Sequence, residues 1–145
     1  MTHAALARWL LALLCAAQGA GTAAIDLNRT HATNPRWPAH ARFHLVWQVV
    51  SYAFLSLFEI ALIFAPCPLQ QPRFYLAAAL AVIPMMSCLA AFFLRKIYGG
   101  SIFNRDGIAP MKIVVRGSEL HIDLNLTAEA VALLSLIGIV ALFRN

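Results

Sequence analysis

Four long apolar runs constrain the fold of this chain more than any other feature. They cover about residues 4–24, 43–65, 74–94 and 128–143. A helix needs roughly 20 apolar residues to cross the hydrocarbon core of a bilayer, within a range of about 17–25. The second and third runs meet this length, the fourth is short, and the first is diluted near its end by polar and glycine residues. The pattern predicts an all-α membrane protein with one domain over residues 1–145, folded as a four-helix transmembrane bundle.

The composition supports a membrane location and argues against nucleic-acid binding. Of the 145 residues, 61% are hydrophobic and 12% are charged, whereas roughly 25% are charged in a typical soluble domain. The net charge of +5 comes from basic residues beside the apolar runs, as in membrane-flanking segments. The three cysteines, Cys15, Cys67 and Cys88, have no metal-type spacing, and no disulfide framework is expected.

The first run has two interpretations, and both stay open at this point. It fits a retained helix, and it also fits a secretory signal peptide with Arg8, an apolar stretch and small residues through Ala24. With four helices, one side of the membrane holds three basic residues: Arg8, Arg73 and Arg144. The other side holds eight: Arg29, Arg36, Arg42, Arg95, Lys96, Arg105, Lys112 and Arg116. The positive-inside rule places the eight in the cytoplasm and both termini outside, in a bacterial inner membrane. A cleaved signal peptide would instead place the histidine-containing segment outside.

The connection between the third and fourth runs is polar and predicts a small β-hairpin over about residues 112–125. The stretch Lys112–Arg116 is rich in β-branched residues, and Gly117-Ser118 has the composition of a hairpin turn. Apolar and polar residues then alternate from Leu120 to Leu126, the period of a strand with one apolar face. We expect this hairpin to lie against the bundle at the membrane surface.

Three of the five histidines lie in the polar segment between the first two runs: His31, His40 and His44. His40 and His44 are four residues apart at the predicted start of the second helix, where both rings reach one ligand. Asn34 suits the cap of this helix, and Pro35 or Pro38 suits its first turn. The positive end of the helix dipole favours neutral imidazoles, as a metal ligand or a general base requires.

The same helix face continues as a predicted polar track. Steps of three or four residues lead from His40 and His44 through Gln48 to Glu59, the only carboxylate deep in a predicted span. An ionisable residue inside a membrane usually faces the bundle interior or a cavity. The track predicts either a polar pocket that ends on a buried acid, or a hydrogen-bond network that joins helices.

Other polar residues near this segment predict further sites. A hairpin folded over the second helix would add His31, His121 and Asp123 to the pocket. The candidate metal ligands would then be His31, His40, His44 and His121. Five histidines are too few for a membrane di-metal oxygenase. The commoner role of such groups is capping and hydrogen bonding. Arg36 and Arg42, with Trp37 at the interface, predict contact with a lipid headgroup.

A short sequence repeat occurs twice in the chain, once directly after the first apolar run and once directly before the fourth. The stretch 25–30 matches the stretch 122–127 at five of six positions. Asp, Asn and Thr satisfy free N–H groups at helix starts. The favoured interpretation is that both copies cap the entry of a helix.

The histidine segment also resembles a known family signature. The matching residues are Thr30-His31-x-x-Asn34-Pro35-x-Trp37-Pro38-x-His40-Ala41-x-Phe43-His44. They resemble a family of small bacterial and fungal membrane proteins of unknown function, and the size and hydropathy are similar to those of DoxX-like membrane proteins. The resemblance implies an integral four-helix protein and carries no reaction.

Together these features predict an accessory membrane protein that binds a lipophilic or lipid-headgroup ligand. The predicted pocket at the start of the second helix is lined by His31, Asn34, Trp37, His40, His44, Gln48, Glu59, His121 and Asp123. One alternative is a small membrane enzyme, of oxidoreductase or isomerase type, that uses the histidines as metal ligands or bases. The other is a subunit of a membrane complex or a homo-oligomer. The sequence requires no cofactor.

Overall fold

The computed structural model describes residues 2–66, 68–102 and 108–145. Four helices are long and apolar enough to cross a membrane: α1 (His3–Asp26), α2 (Ala39–Phe64), α3 (Gln70–Leu94) and α4 (Leu124–Arg144). Between α3 and α4, strands β1 (Met111–Val115) and β2 (Ser118–Ile122) form an antiparallel pair. The prediction of a mostly helical chain with four apolar helices and a small hairpin is confirmed.

The last three helices each begin four residues before the predicted starts. Hydropathy finds the apolar part of a helix, whereas the helix itself extends into polar residues as far as its cap. The carboxylate of Asp123 accepts a hydrogen bond from the backbone N–H of Leu126 at 2.8 Å and caps α4. Leu124 and Leu126 therefore belong to the helix, and the prediction that the strand continues through Asn125 is wrong.

The predicted cap of α2 is also wrong. Pro38 precedes the helix, and no side chain of the described residues caps it, so neither Pro35 nor Pro38 lies in its first turn. Asn34 is buried, and its side-chain oxygen accepts a hydrogen bond from the backbone N–H of Arg36 at 3.0 Å. Asn34 therefore fixes the turn that leads into α2, a role typical of Asn in an Asx turn.

The helices run alternately up and down, with α1 and α3 each packed against both α2 and α4. At the end where α1 begins, the rings of Phe74 and Phe143 stack at 3.7 Å with 8° between their planes. At the same end the Nε of Arg8 donates a hydrogen bond to the carbonyl of Ile63 at 3.1 Å. Leu11 is fully buried below this layer. This half of the bundle is closed by packing.

A π-helical segment, Ala17–Gly21, interrupts α1 where it crosses α2. A Cβ added to Gly19 would lie only 2.7 Å from the Cβ of Ser56. The hydroxyl of Ser56 donates a hydrogen bond to the carbonyl of Cys15 at 2.7 Å. Close backbone approach at a small residue together with an interhelical hydrogen bond is typical of helix packing in membranes.

The hairpin turns one residue earlier than predicted and does not pack on the helices. Arg116 and Gly117 both have positive φ, +50° and +81°, as a two-residue type I′ turn requires. Every strand residue except Ile122 is exposed. The side chains of Met111, Ile113 and Leu120 are therefore uncovered in the part of the chain that the structure describes.

The outer surface of the helices is apolar and exposed. Only 28%, 22%, 28% and 11% of the most apolar stretches of α1 to α4 are buried within the protein. Phe54 and Leu134 each retain 69% of their accessible surface. Soluble monomers rarely expose contiguous apolar surfaces of this extent.

Candidate functional site: an acidic cavity between the helices

All four helices line a cavity of about 770 Å³ at the end of the bundle opposite the Phe74–Phe143 stack. Small side chains make the space: Ala17, Gly21, Ala91, Ala128 and Ala132. In the closed half of the bundle, the large side chains of Leu11 and Phe74 are fully buried. The small side chains of its lining therefore contribute to the space of the cavity.

The cavity carries an excess of negative charge. Three carboxylates line it, namely Asp26 at the end of α1, Asp123 at the cap of α4, and Glu129 in the second turn of α4. Arg95 is the only basic residue in the described lining. Its Nη1 donates a hydrogen bond to the carbonyl of Phe92 at 2.6 Å, and its guanidinium lies 4.2 Å from the centre of the Phe92 ring. The lining is thus acidic in a chain with 11 basic and only six acidic residues.

Uncharged polar groups complete the wall. Gln48 donates a hydrogen bond to the hydroxyl of Tyr52 at 3.4 Å. Gln18 donates to the carbonyl of Ala81 at 3.3 Å and so joins α1 to α3. Of these residues the sequence predicted only Gln48 as part of a pocket. Cys88 also lines the cavity and is a free thiol, whereas Cys67 lies outside the described residues.

A second cavity of about 180 Å³ adjoins the first, and Asp123 lines both. Two residues predicted for the pocket, His31 and Trp37, line this smaller cavity. The Nδ1 of His31 lies 3.8 Å from the carboxylate of Asp26. The rings of His31 and Trp37 meet edge to face with 5.1 Å between their centres. The structure therefore brings together His31, Trp37 and Asp123, as predicted, and adds Asp26 to them.

The other histidines lie elsewhere. The Nε2 atoms of His40 and His44 are 3.0 Å apart, so the two rings do meet, but both side chains are exposed and line neither cavity. His121 is exposed on β2, where its Nε2 lies 3.6 Å from Glu119. Because the hairpin does not fold over α2, the predicted convergence of four histidines does not occur. No group of three or more His, Cys, Asp or Glu side chains within the described ranges is arranged to hold a metal ion.

Glu59 does not lie on the same face of α2 as His40, where the predicted polar track begins. At 3.6 residues per turn, the 19 residues between His40 and Glu59 leave the two about 100° apart around the axis. Glu59 is fully buried against α1 and lines neither cavity, and the described residues form no hydrogen bond to either of its carboxylate oxygens, although the thiol of Cys15 interacts with it. The predicted continuous track from His40 to Glu59 is therefore broken.

The predicted headgroup-binding arginines lie outside both cavities. Arg42 is half-buried in the first turn of α2, and its Nε has no hydrogen-bond partner among the described residues. Arg36 lies in the turn before the helix and is exposed. The charged side chains that line the large cavity are therefore mainly acidic.

Sequence reasoning missed Asp26, Glu129 and Arg95 as site residues. The internal repeat carried a signal for the first of them, because its two copies hold Asp26 and Asp123. Asp123 caps a helix as predicted, but Asp26 ends α1, so the prediction that both copies are helix entries is half wrong. Both aspartates instead reach the same cavity.

Comparison of the chain with protein-family models, with curated proteins and with solved structures found no significant match. The resemblance of the histidine segment to a family of small four-helix membrane proteins therefore stays a prediction. What the cavity binds has to follow from its own shape, charge and hydrogen-bonding groups.

Proposed function

We propose that this chain is an integral membrane protein that binds an amphipathic cation in the cavity between its four helices. Four helices of sufficient length and hydropathy support the membrane location. Their exposed apolar surface supports it as well, because contact of such a surface with water is unfavourable and contact with lipid chains is not.

The observation that carries the proposal is the charge of the cavity lining. Asp26, Asp123 and Glu129 line one cavity, where Arg95 is the only basic residue of the described lining. Charges in a partly buried site interact more strongly than in water, because the effective dielectric constant is lower. A cationic group is favoured there and an anionic headgroup is disfavoured.

The rest of the lining suits an alkyl chain. Leu14, Ile25, Met85 and Leu126 contribute apolar surface from three different helices. Binding pockets for small molecules are typically apolar with a few polar groups that set the orientation. The ligand would place its cationic group towards Asp26 and Asp123 and its chain between the helices.

The proposal is tested by binding of two probes of equal chain length and opposite charge to the protein in neutral maltoside micelles. Native mass spectrometry or calorimetry with dodecylamine and with dodecanoate measures the preference. We expect dodecylamine to bind at least about tenfold more tightly, a difference of about 1.4 kcal/mol. Equal or tighter binding of dodecanoate, or no binding of dodecylamine, would overturn the proposal.

A matched pair of variants locates the effect. Glu129→Gln removes a charge from the cavity, and Glu119→Gln removes one from the exposed hairpin. The first should weaken dodecylamine binding severalfold, and the second should leave it unchanged.

A further inference from the structure

The smaller cavity contains a histidine whose proton position is set by its neighbours. The chain of hydrogen bonds begins at Asn28, whose side-chain Nδ2 donates to the carbonyls of Ala24 at 3.2 Å and Ile25 at 2.7 Å. The other side-chain atom of Asn28 is therefore the acceptor oxygen. It accepts from the backbone N–H of Thr30 at 2.8 Å and from the Thr30 hydroxyl at 2.6 Å.

The Thr30 hydroxyl has one proton, and it is given to Asn28. The 2.7 Å contact between Thr30 Oγ1 and His31 Nδ1 must then have the ring nitrogen as the donor, because a hydroxyl oxygen accepts once its own proton is engaged. The carboxylate of Asp26, 3.8 Å from the same nitrogen, favours a proton there as well. In the neutral ring, Nε2 is therefore unprotonated and is able to accept a hydrogen bond.

We infer that the cationic group bound by this protein is a primary ammonium, recognised through its N–H groups by His31 and Asp123. This inference rests on the proposed function and names the class of cation. His31 and Asp123 both line the smaller cavity, and no described residue donates a hydrogen bond to His31 Nε2. Asp123 also lines the large cavity, so its carboxylate would face the head of a ligand whose alkyl chain lies in the large cavity and whose ammonium lies beside His31.

The hydrogen-bonding groups separate two classes of cation that charge alone does not distinguish. A primary ammonium has three N–H donors, and the cavity offers acceptors in the imidazole and the carboxylate. A quaternary ammonium carries the same charge and has no donor. In the smaller cavity it would leave His31 Nε2 without a donor among the described residues, and it would give the Asp123 carboxylate no hydrogen bond beyond the one from the Leu126 N–H. An acceptor that is shielded from water and lacks a donor is costly.

The test uses dodecylamine and dodecyltrimethylammonium, which have the same chain length and charge. Dissociation constants are measured for the full-length protein in neutral maltoside micelles. We expect the amine to bind about tenfold or more tightly, as expected for a hydrogen bond to a charged group. Equal affinity for both probes would overturn this inference and leave the proposed function standing. Binding of neither probe would overturn both.

Three variants assign the preference to the histidine. His31→Phe keeps a ring against Trp37 and removes both nitrogens. The preference for the amine should then fall below about threefold, because even a weak hydrogen bond changes an affinity by about that factor. Thr30→Val keeps the ring and removes the hydroxyl that fixes its proton, so the preference should fall in the same direction. His40→Phe, at an exposed ring outside both cavities, is the control. A preference unchanged in both His31→Phe and Thr30→Val would overturn the role of His31.

A primary ammonium occurs both in some lipid headgroups and in free amphipathic amines. A second experiment distinguishes these two sources. The protein is equilibrated with phosphatidylethanolamine and phosphatidylcholine of identical acyl chains, and the bound lipid is measured by native mass spectrometry. Enrichment of phosphatidylethanolamine that is lost in His31→Phe supports a lipid source. Discrimination between the two alkyl probes without enrichment of either lipid supports a free amine.

Discussion

At the scale of single residues, the crossing of α1 and α2 depends on the absence of a side chain at one position. The ideal Cβ of residue 19 would lie 2.7 Å from Ser56 Cβ and 3.0 Å from Ser56 Oγ. Two residues further along, a Cβ on Gly21 would lie more than 4 Å from the other described residues. The two glycines therefore share a π-helical segment and have different roles.

Gly19→Ala should destabilise the protein by roughly 1–3 kcal/mol, the usual cost of overpacking. Gly21→Ala should be neutral or stabilising by up to about 1 kcal/mol, because alanine favours helix more than glycine does. Thermal or denaturant unfolding of the two variants in the same detergent measures the difference. Equal stability of the two would show that α1 and α2 do not approach closely at Gly19.

At the scale of elements, Asp123 joins three parts of the molecule. It follows β2, caps α4 through the N–H of Leu126, and lines both cavities. Its capping role needs only an acceptor atom, whereas its proposed role in cation binding needs the negative charge. Substitutions that separate these two properties test both roles.

Asp123→Ser retains a capping oxygen, so the stability should stay within about 0.5 kcal/mol of the parent because Ser and Asp are similar caps. Dodecylamine binding should weaken, because a carboxylate is lost from the cavity. Asp123→Ala should lose about 1 kcal/mol of stability in addition. Unfolding curves and binding isotherms are measured on each variant. Normal amine binding by Asp123→Ser would contradict the role of its charge.

The element boundaries show where sequence reasoning was sufficient and where it was not. The apolar runs identified all four helices, and the turn composition near Gly117 identified the hairpin. The alternation from Leu120 to Leu126 was misread, because a strand period over so few residues does not exclude a helix start at Leu124. The capping hydrogen bond from Leu126 to Asp123 decides that choice.

At the scale of the whole molecule, α1 is an integral part of the bundle. Leu11 and Cys15 are fully buried against other helices, and seven residues of α1 line the large cavity: Leu14, Ala17, Gln18, Gly21, Thr22, Ile25 and Asp26. The packing of α1 places both ends of the described chain at the closed end of the bundle.

The positive-inside rule then predicts the orientation, with the hairpin in the cytoplasm and both termini outside. In a bacterial host, alkaline phosphatase fused after Asn145 should be active, and the same reporter inserted after Gly117 should be inactive. A fusion at Pro66, between α2 and α3, should behave like the fusion after Asn145. The opposite pattern of activities would show that the chain inserts the other way round.

The sequence by itself determined the class of fold and the helix order. A stretch of apolar residues long enough to cross a membrane is visible in the composition alone, whatever the stretch packs against. It also determined the proximity of His40 and His44, because residues four apart share a helix face whatever surrounds them. The candidate site was decided only by the tertiary structure. Asp26, Asp123 and Glu129 meet because antiparallel packing brings the end of α1 beside the start of α4, and such a meeting depends on packing between elements far apart in the sequence. The same packing left Glu59 buried against α1 and His121 on an exposed strand.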